Sequence, residues 1–330
     1  MLPVSSPGDV FIIAEIGINH EGDAETCGRM IDAAKEAGAD AVKLQTIDPD
    51  KNYVKGTESH RIFSESSLSP EETSHLFHYA RTREISCFTT VGDLETLDWI
   101  NRLCPVAHKI SSGLLTHTTL IRSVADTGRP IIMSTGMADE AEIDTALAAI
   151  GRRVPTTLMQ CTSIYPAPPD SLNLRAIRWM ERRFEVDCGF SDHSLGTEAA
   201  VLAVAAGASC IEKHFSLDPN RSGFDHLISL NPQDFRLMVE KVRQTQLMLG
   251  VEGKTVPAPL HDARAIYLRC LVAKEPITIG TLLTHDNVAV KRPMPNRRGM
   301  PADKLDSVLG RRVLVDIAID EPIQPDSIED

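Results

Sequence analysis

The chain lacks a basic surplus. Its 34 Lys and Arg against 46 Asp and Glu leave a net charge of −12. That excludes the usual nucleic-acid and anionic-membrane partners, which need cations to neutralise phosphate. It leaves an anionic small substrate open, because a few lysines can line a pocket in an acidic protein. No stretch approaches the about 20 apolar residues that span a bilayer. The start, Met1 to Asp9, has neither a basic segment nor a long apolar core, so a cytoplasmic location is expected. The seven cysteines are odd in number and show no CxxC pair. Cys87, Cys161, Cys188 and Cys210 lie inside apolar runs and read as buried, reduced thiols. A GxGxxG turn after the first apolar run is also missing, which weakens an open dinucleotide-binding sheet.

What is present is a cadence. Eight short apolar runs read as strands: Val10–Ile16, Ala41–Leu44, Ile85–Phe88, Ala107–Ile110, Ile131–Ser134, Thr157–Cys161, Val186–Phe190 and Cys210–Glu212. Helical patterns separate them, one opening with Ser69 as N-cap before Pro70 and Glu71-Glu72, and the last running from Asn231 to Gly250. Strict alternation implies parallel strands, and eight units predict a (β/α)8 TIM barrel over 1–250. After Gly250 the chain turns rich in Gly and Pro. We expect a linker over 251–261 and a small β-rich domain over 262–330, with short runs at Cys270–Ala273, Val288–Val290 and Val313–Val315.

In such a barrel the chemistry sits at the C-terminal strand ends. Those ends carry Glu15; Lys43 and Gln45; Thr90; Lys109 and Ser112; Ser134; Ser163 and Tyr165; Ser191 and His193; and Glu212, Lys213 and His214. Two histidines just past adjacent parallel strands reach one point, which is a metal-site geometry. Two lysines among hydroxyls suit a carboxylate and phosphate pocket; Lys109 has the alternative of a strand-end lysine reaching solvent. Glu15 is either a structural partner of Lys43 or a proton-transfer group. The other histidines read as surface or packing residues, with His20 open between the two.

Seven motifs in order resemble the sialic acid (N-acetylneuraminate) synthase family: Ala14–Gly22 (AEIGINHEG), Val42–Thr46 (VKLQT), Lys109–Gly113 (KISSG), Ser134–Met137 (STGM), Cys161–Pro166 (CTSIYP), Ser191–Ser194 (SDHS) and Glu212–Phe215 (EKHF). The likeness spans about residues 9 to 325, and the tail around Val290–Pro293 and Gly299–Pro301 resembles the antifreeze-like (SAF) domain that ends these synthases. The resemblance implies a condensation of phosphoenolpyruvate with an N-acyl mannosamine-type sugar, releasing phosphate. It implies a divalent metal, usually Mn2+ with Mg2+ or Co2+ as alternatives, on His193 and His214. It places Lys43, Thr90, Lys109, Ser112, Ser134, Ser163 and Ser191 around phosphoenolpyruvate, and Glu15 and Gln45 near the reacting carbons, with Glu15 moving the proton. Tyr165 and Asp225 would contact the sugar, although Asp225 also reads as an ordinary turn residue. A domain-swapped homodimer is implied, with Arg292 reaching the partner's site; Arg297 and Arg298 compete for that part, and all three also read as solvated charges.

Two residues depart from the family pattern. Leu114 stands where a glutamate is common and Ser163 where an asparagine is common. Loss of the glutamate opens the acceptor to N-acetylmannosamine or a 2,4-diacetamido-2,4,6-trideoxy hexose. The alternatives are a phosphoenolpyruvate-dependent synthase using a phosphorylated aldose and a non-catalytic carbohydrate-binding protein.

Overall fold

A computed structural model describes residues 9–294 and 297–329. The segment read above for a leader, residues 1–8, lies outside the described residues. The chain divides into two compact units, 1–250 and 251–330.

In the first unit eight parallel strands close a barrel in sequence order. They are β1 (Phe11–Gly17), β2 (Ala41–Thr46), β3 (Ser86–Val91), β4 (His108–Ile110), β5 (Ile131–Ser134), β6 (Thr156–Cys161), β7 (Asp187–Asp192) and β8 (Cys210–His214), with β1 hydrogen-bonded to both β2 and β8. Each is followed by at least one helix whose apolar face covers the barrel. Local sequence sets the helix ends. Ser69 and Glu72 form a capping box before Pro70–Thr82, as do Asp139 and Glu142 before Glu140–Ile150. Asn231 caps Pro232–Leu249, and Gly250 ends it with a positive φ that a side chain would resist.

The strand pleat sorts the side chains into two cores. Ile12, Ala14, Val42, Met133, Leu158, Phe190 and Ile211 face outward and pack under the helices. Phe11, Ile13, Ala41, Phe88, Ala107, Ile132, Met159 and Cys210 face inward and form the barrel floor. Floor packing explains Gly189 on β7, where a Cβ would stand 2.5 Å from the Cys210 carbonyl oxygen and 2.6 Å from the Met159 sulfur. Because the period is two, the next inward positions above that floor are Glu15, Lys43, Thr90, Lys109, Ser134, Cys161, Ser191 and Glu212.

Several expectations change. β7 and β8 run on through Asp192 and His214, so His214 is the last residue of its strand rather than part of a loop. The β2–β3 connection holds two helices, Pro49–Asn52 and Glu58–Ser66, that the sequence pattern does not mark. In the second unit a helix, Leu260–Tyr267, begins inside the expected linker. Strands Cys270–Ala273 and Val288–Lys291 pair antiparallel. The expected Val313–Val315 strand is only an isolated bridge from Val313 to Ile328. Leu271, Ala273, Ile277, Leu283, Val308, Ile317 and Ile323 make this unit's own core.

Candidate active site

A belt of buried charge crosses the barrel above its floor. The Lys109 ammonium donates to both Glu212 oxygens, at 2.6 and 2.7 Å. Ser191 Oγ donates to Glu212 Oε1 at 2.8 Å. Lys43 Nζ lies 2.8 Å from Glu15 Oε2 and 3.7 Å from Glu212 Oε2, with Thr90 Oγ1 at 3.5 Å. Gln45 Nε2 donates to Glu15 Oε1 at 2.9 Å. Lys109 therefore does not reach solvent, and Glu15 does pair with Lys43.

The two carboxylates differ in their surroundings. Burial would push Glu212 up, but Lys109, Lys43 and the hydrogen bonds from Lys109 and Ser191 hold it far below the usual range. Burial dominates at Glu15 and raises it to about 7, Lys43 opposing and Glu212 assisting. Glu15 is thus the group that takes a proton near neutrality, the pattern of paired carboxylates with separated roles. Burial pulls Lys109 down; at Lys43 the same pull is more than offset by Glu15 and Glu212.

A consequence is a sign for anion binding. Below about pH 7 two lysines face one charged carboxylate; above it they face two. Affinity for sulfate, whose charge is fixed, should fall as pH rises through 7. The drop should reach about tenfold, since one charge at a few ångströms is worth about 1 kcal/mol or more. Sulfate protection against thermal unfolding at pH 6 and 8.5 checks this, and Glu15→Gln should flatten the dependence.

Beside the belt stands a cluster of hydroxyls. Ser134 Oγ is buried with no hydrogen-bond partner. The Gly136 N–H donates to Ser112 Oγ at 3.0 Å. A Cβ on Gly136 would come within 2.4 Å of Ser163 Oγ and 2.9 Å of Ser112 Oγ, so only glycine leaves both hydroxyls their present positions. Cys161, expected only as a buried thiol, is buried but lies 3.9 Å from Ser112 Oγ and 3.7 Å from His193 Nδ1.

The histidines close the other side, their ring centroids 5.4 Å apart. His193 Nδ1 is 2.8 Å from the Thr162 carbonyl oxygen. That contact assigns the proton to Nδ1 and leaves Nε2 as an acceptor, 3.3 Å from the Tyr165 hydroxyl. Tyr165 stacks on His193 at 4.2 Å. His214 Nδ1 is buried without a hydrogen-bond partner, 3.7 Å from Asp225 Oδ2. Burial lowers both imidazoles, His214 further because His193 and Lys43 lie near. Neutral rings, one oriented by a backbone carbonyl and one with an orphaned nitrogen, fit a divalent cation. Among the described residues no group of three or more His, Cys, Asp or Glu is arranged to hold an ion. The fit is therefore that of two histidines with the remaining positions open.

Asp225 is more than a turn residue. Its N–H donates to Asn19 Oδ1 at 3.1 Å, and Asn19 Nδ2 donates to the Phe215 carbonyl and to Ser229 Oγ. His226 adds contacts to Ser216 Oγ at 2.7 Å and Glu21 Oε1 at 2.9 Å. The loop after β1 thereby pins the loop after β8. His20 is buried, with Nδ1 accepting from the Gly22 N–H at 3.1 Å, and burial lowers it to about 4. Leu114 packs on the outer apolar core.

Glu212, the centre of the belt, is legible in the sequence as a polar strand end, but its role in the site is not. Its signal is the pleat: it lies two residues before His214 and shares its face, while Lys213 between them points outward. Arg292 belongs to the second unit, with its guanidinium 4.8 Å over the Tyr267 ring. Arg297 and Arg298 are exposed there.

The NeuB family pattern matches residues 30–254, and the SAF domain pattern residues 269–329. The chain belongs to the NeuB family. An uncharacterised protein of Methanocaldococcus jannaschii is 39% identical over 96% of this chain and 94% of its own. The N,N'-diacetyllegionaminic acid synthase of Campylobacter jejuni is 33% identical over 95% of this chain and 98% of its own. Other NeuB relatives are named pseudaminic acid synthase and N-acetylneuraminate-9-phosphate synthase. Among solved structures, the N-acetylneuraminic acid synthetase of Leptospira borgpetersenii, in complex with citrate, superposes with a TM-score of 0.75. It is 32% identical, over 77% of this chain and 90% of that one. The named NeuB relatives are thus synthases of nonulosonic acids that differ in their sugar.

Proposed function

We propose that the protein condenses phosphoenolpyruvate with an N-acyl amino sugar to form a nonulosonic acid and phosphate. The observation that carries this reading is the pairing, inside one barrel, of a two-lysine anion pocket with two neutral histidines facing it. The acceptor is N-acetylmannosamine or a 2,4-diacetamido-2,4,6-trideoxy hexose, since Leu114 packs away where a sugar-side glutamate is common.

Lys43 and Lys109 hold the carboxylate and phosphate of phosphoenolpyruvate, with Thr90, Ser112, Ser134, Ser163 and Ser191 donating hydrogen bonds. Glu212 keeps both ammonium groups aimed inward. The bond made joins C3 of phosphoenolpyruvate to the aldehyde carbon; water adds at C2, and the C–O bond to phosphate breaks. Glu15, poised near neutrality and held by Gln45, moves the proton. A divalent cation on His193 and His214, Mn2+ in our reading, would polarise the aldehyde oxygen. Tyr165 and Asp225 flank the histidines and orient the sugar. In our reading a second copy of the chain supplies Arg292 to the sugar's N-acyl group.

Gly136→Ala tests the hydroxyl cluster. Its Cβ would crowd Ser112 and Ser163. The KM for phosphoenolpyruvate should rise about tenfold, or ~1.4 kcal/mol, with melting nearly unchanged. The acceptor is tested by a panel containing N-acetylmannosamine, its 6-phosphate, a 2,4-diacetamido-2,4,6-trideoxy hexose and arabinose 5-phosphate, with products identified by mass. Turnover with arabinose 5-phosphate alone would refute the amino-sugar assignment.

A further inference from the structure

Asp192 and Lys213 are register partners on β7 and β8. Each immediately precedes one of the two histidines in sequence. The pleat that turns His193 and His214 into the barrel turns Asp192 and Lys213 out of it, into the layer beneath the helices. There both side chains are fully buried, with Lys213 Nζ 2.9 Å from Asp192 Oδ2. Lys213 also donates to the Ser194 carbonyl. The other Asp192 oxygen accepts from the Ser194 N–H at 2.8 Å and its hydroxyl at 2.6 Å. His193 is therefore bracketed by two residues, Asp192 and Ser194, that are both tied to the residue preceding His214.

A desolvated ion pair is a poor way to stabilise a fold, since apolar residues of the same volume usually do as well. What it provides is direction. The ammonium is satisfied only when the β7 end, the loop through Ser194 and the β8 end hold one relative position. That position is also what sets the 5.4 Å spacing of the imidazoles. Residues behind a metal's ligands commonly tune its affinity in this way.

We infer that the Asp192–Lys213 pair, closed by Ser194, positions His193 and His214 at the spacing a divalent cation requires. These are positioning residues; they sit on the far side of the strands from the site. The inference rests on the metal reading above and adds to it the residues that make the two-histidine site selective in its geometry.

The test is a Mn2+ titration of the full-length protein, followed by the paramagnetic resonance signal of free Mn2+. The Asp192→Asn/Lys213→Met double variant removes both charges while the amide oxygen still accepts from Ser194. It should weaken Mn2+ binding 10- to 100-fold, with sulfate affinity unchanged. Ser194→Ala, a milder change that does not threaten folding, should weaken Mn2+ binding about threefold or more. Ile132→Val in the barrel floor serves as the control, lowering the melting temperature and leaving Mn2+ affinity alone. Wild-type Mn2+ affinity in both the double variant and Ser194→Ala overturns the inference, as does an equal loss in Ile132→Val. A wild-type protein that binds no Mn2+ overturns the metal reading, and the inference with it.

Discussion

Replacing either His193 or His214 with alanine should lower kcat/KM for the condensation by about 10³-fold or more, the several kcal/mol that a Lewis acid contributes at a carbonyl. The effect should be large because the site has little redundancy. His193 offers Nε2 and His214 offers Nδ1, and no third His, Cys, Asp or Glu among the described residues completes a ligand group. The fold should tolerate both changes. The His193 ring meets the Thr162 carbonyl, Cys161 and the Tyr165 side chain at the mouth of the barrel, and His214 Nδ1 makes no hydrogen bond at all. Mn2+ binding and turnover should therefore fall together while melting shifts only slightly. An alanine variant that still turned over at the wild-type rate would move the reacting aldehyde elsewhere.

The second large effect is on stability. Glu212→Gln removes the charge that Lys109 contacts through both oxygens and that Lys43 faces at 3.7 Å. Lys43 keeps Glu15; Lys109 is left as a buried, unpaired cation. Breaking a buried pair from one side costs about 3–5 kcal/mol, which in a barrel of this size is a melting decrease on the order of 10 °C. The loss should be partly reversed by sulfate or phosphate, because an anion in the pocket gives Lys109 a new partner. Differential scanning calorimetry with and without sulfate reads both effects. A variant melting within about 2 °C of wild type would mean that Lys109 is solvated after all.

Much of this site is legible in the sequence because a parallel barrel writes itself as short apolar runs ending in polar residues. Glu15, Lys43, Thr90, Lys109, Ser134 and Ser191 stand out that way, and the structure puts them on inward positions above one floor. Glu212 is legible as a strand end but not as the hub of the belt, because a run ending Cys-Ile-Glu looks like a strand giving way to a polar loop. The strand instead continues through His214, since the mouth of the barrel buries charge that the pattern of apolar residues cannot announce. The same blindness shortens β7, whose last residues, Ser191 and Asp192, are buried by the belt and by Lys213. The role of Asn19 and Glu21 is hidden for a different reason. They act on Asp225 and His226, 206 and 205 positions away, through contacts that only the closure of β8 against β1 creates. Helices 49–52 and 58–66 escape because polar composition dominates them, and only Ser66 is buried.

In our proposal one barrel mouth joins an anion pocket to a metal-activated aldehyde, and the most direct measurement of that union is phosphate release by the purified protein from phosphoenolpyruvate. Amino sugar and Mn2+ are each omitted in turn, and Mn2+ is then added back after chelation. Release is predicted only when all three are present, with a product mass equal to sugar plus phosphoenolpyruvate plus water minus phosphoric acid. Phosphate release that persists without the sugar, or in full after chelation, would contradict it.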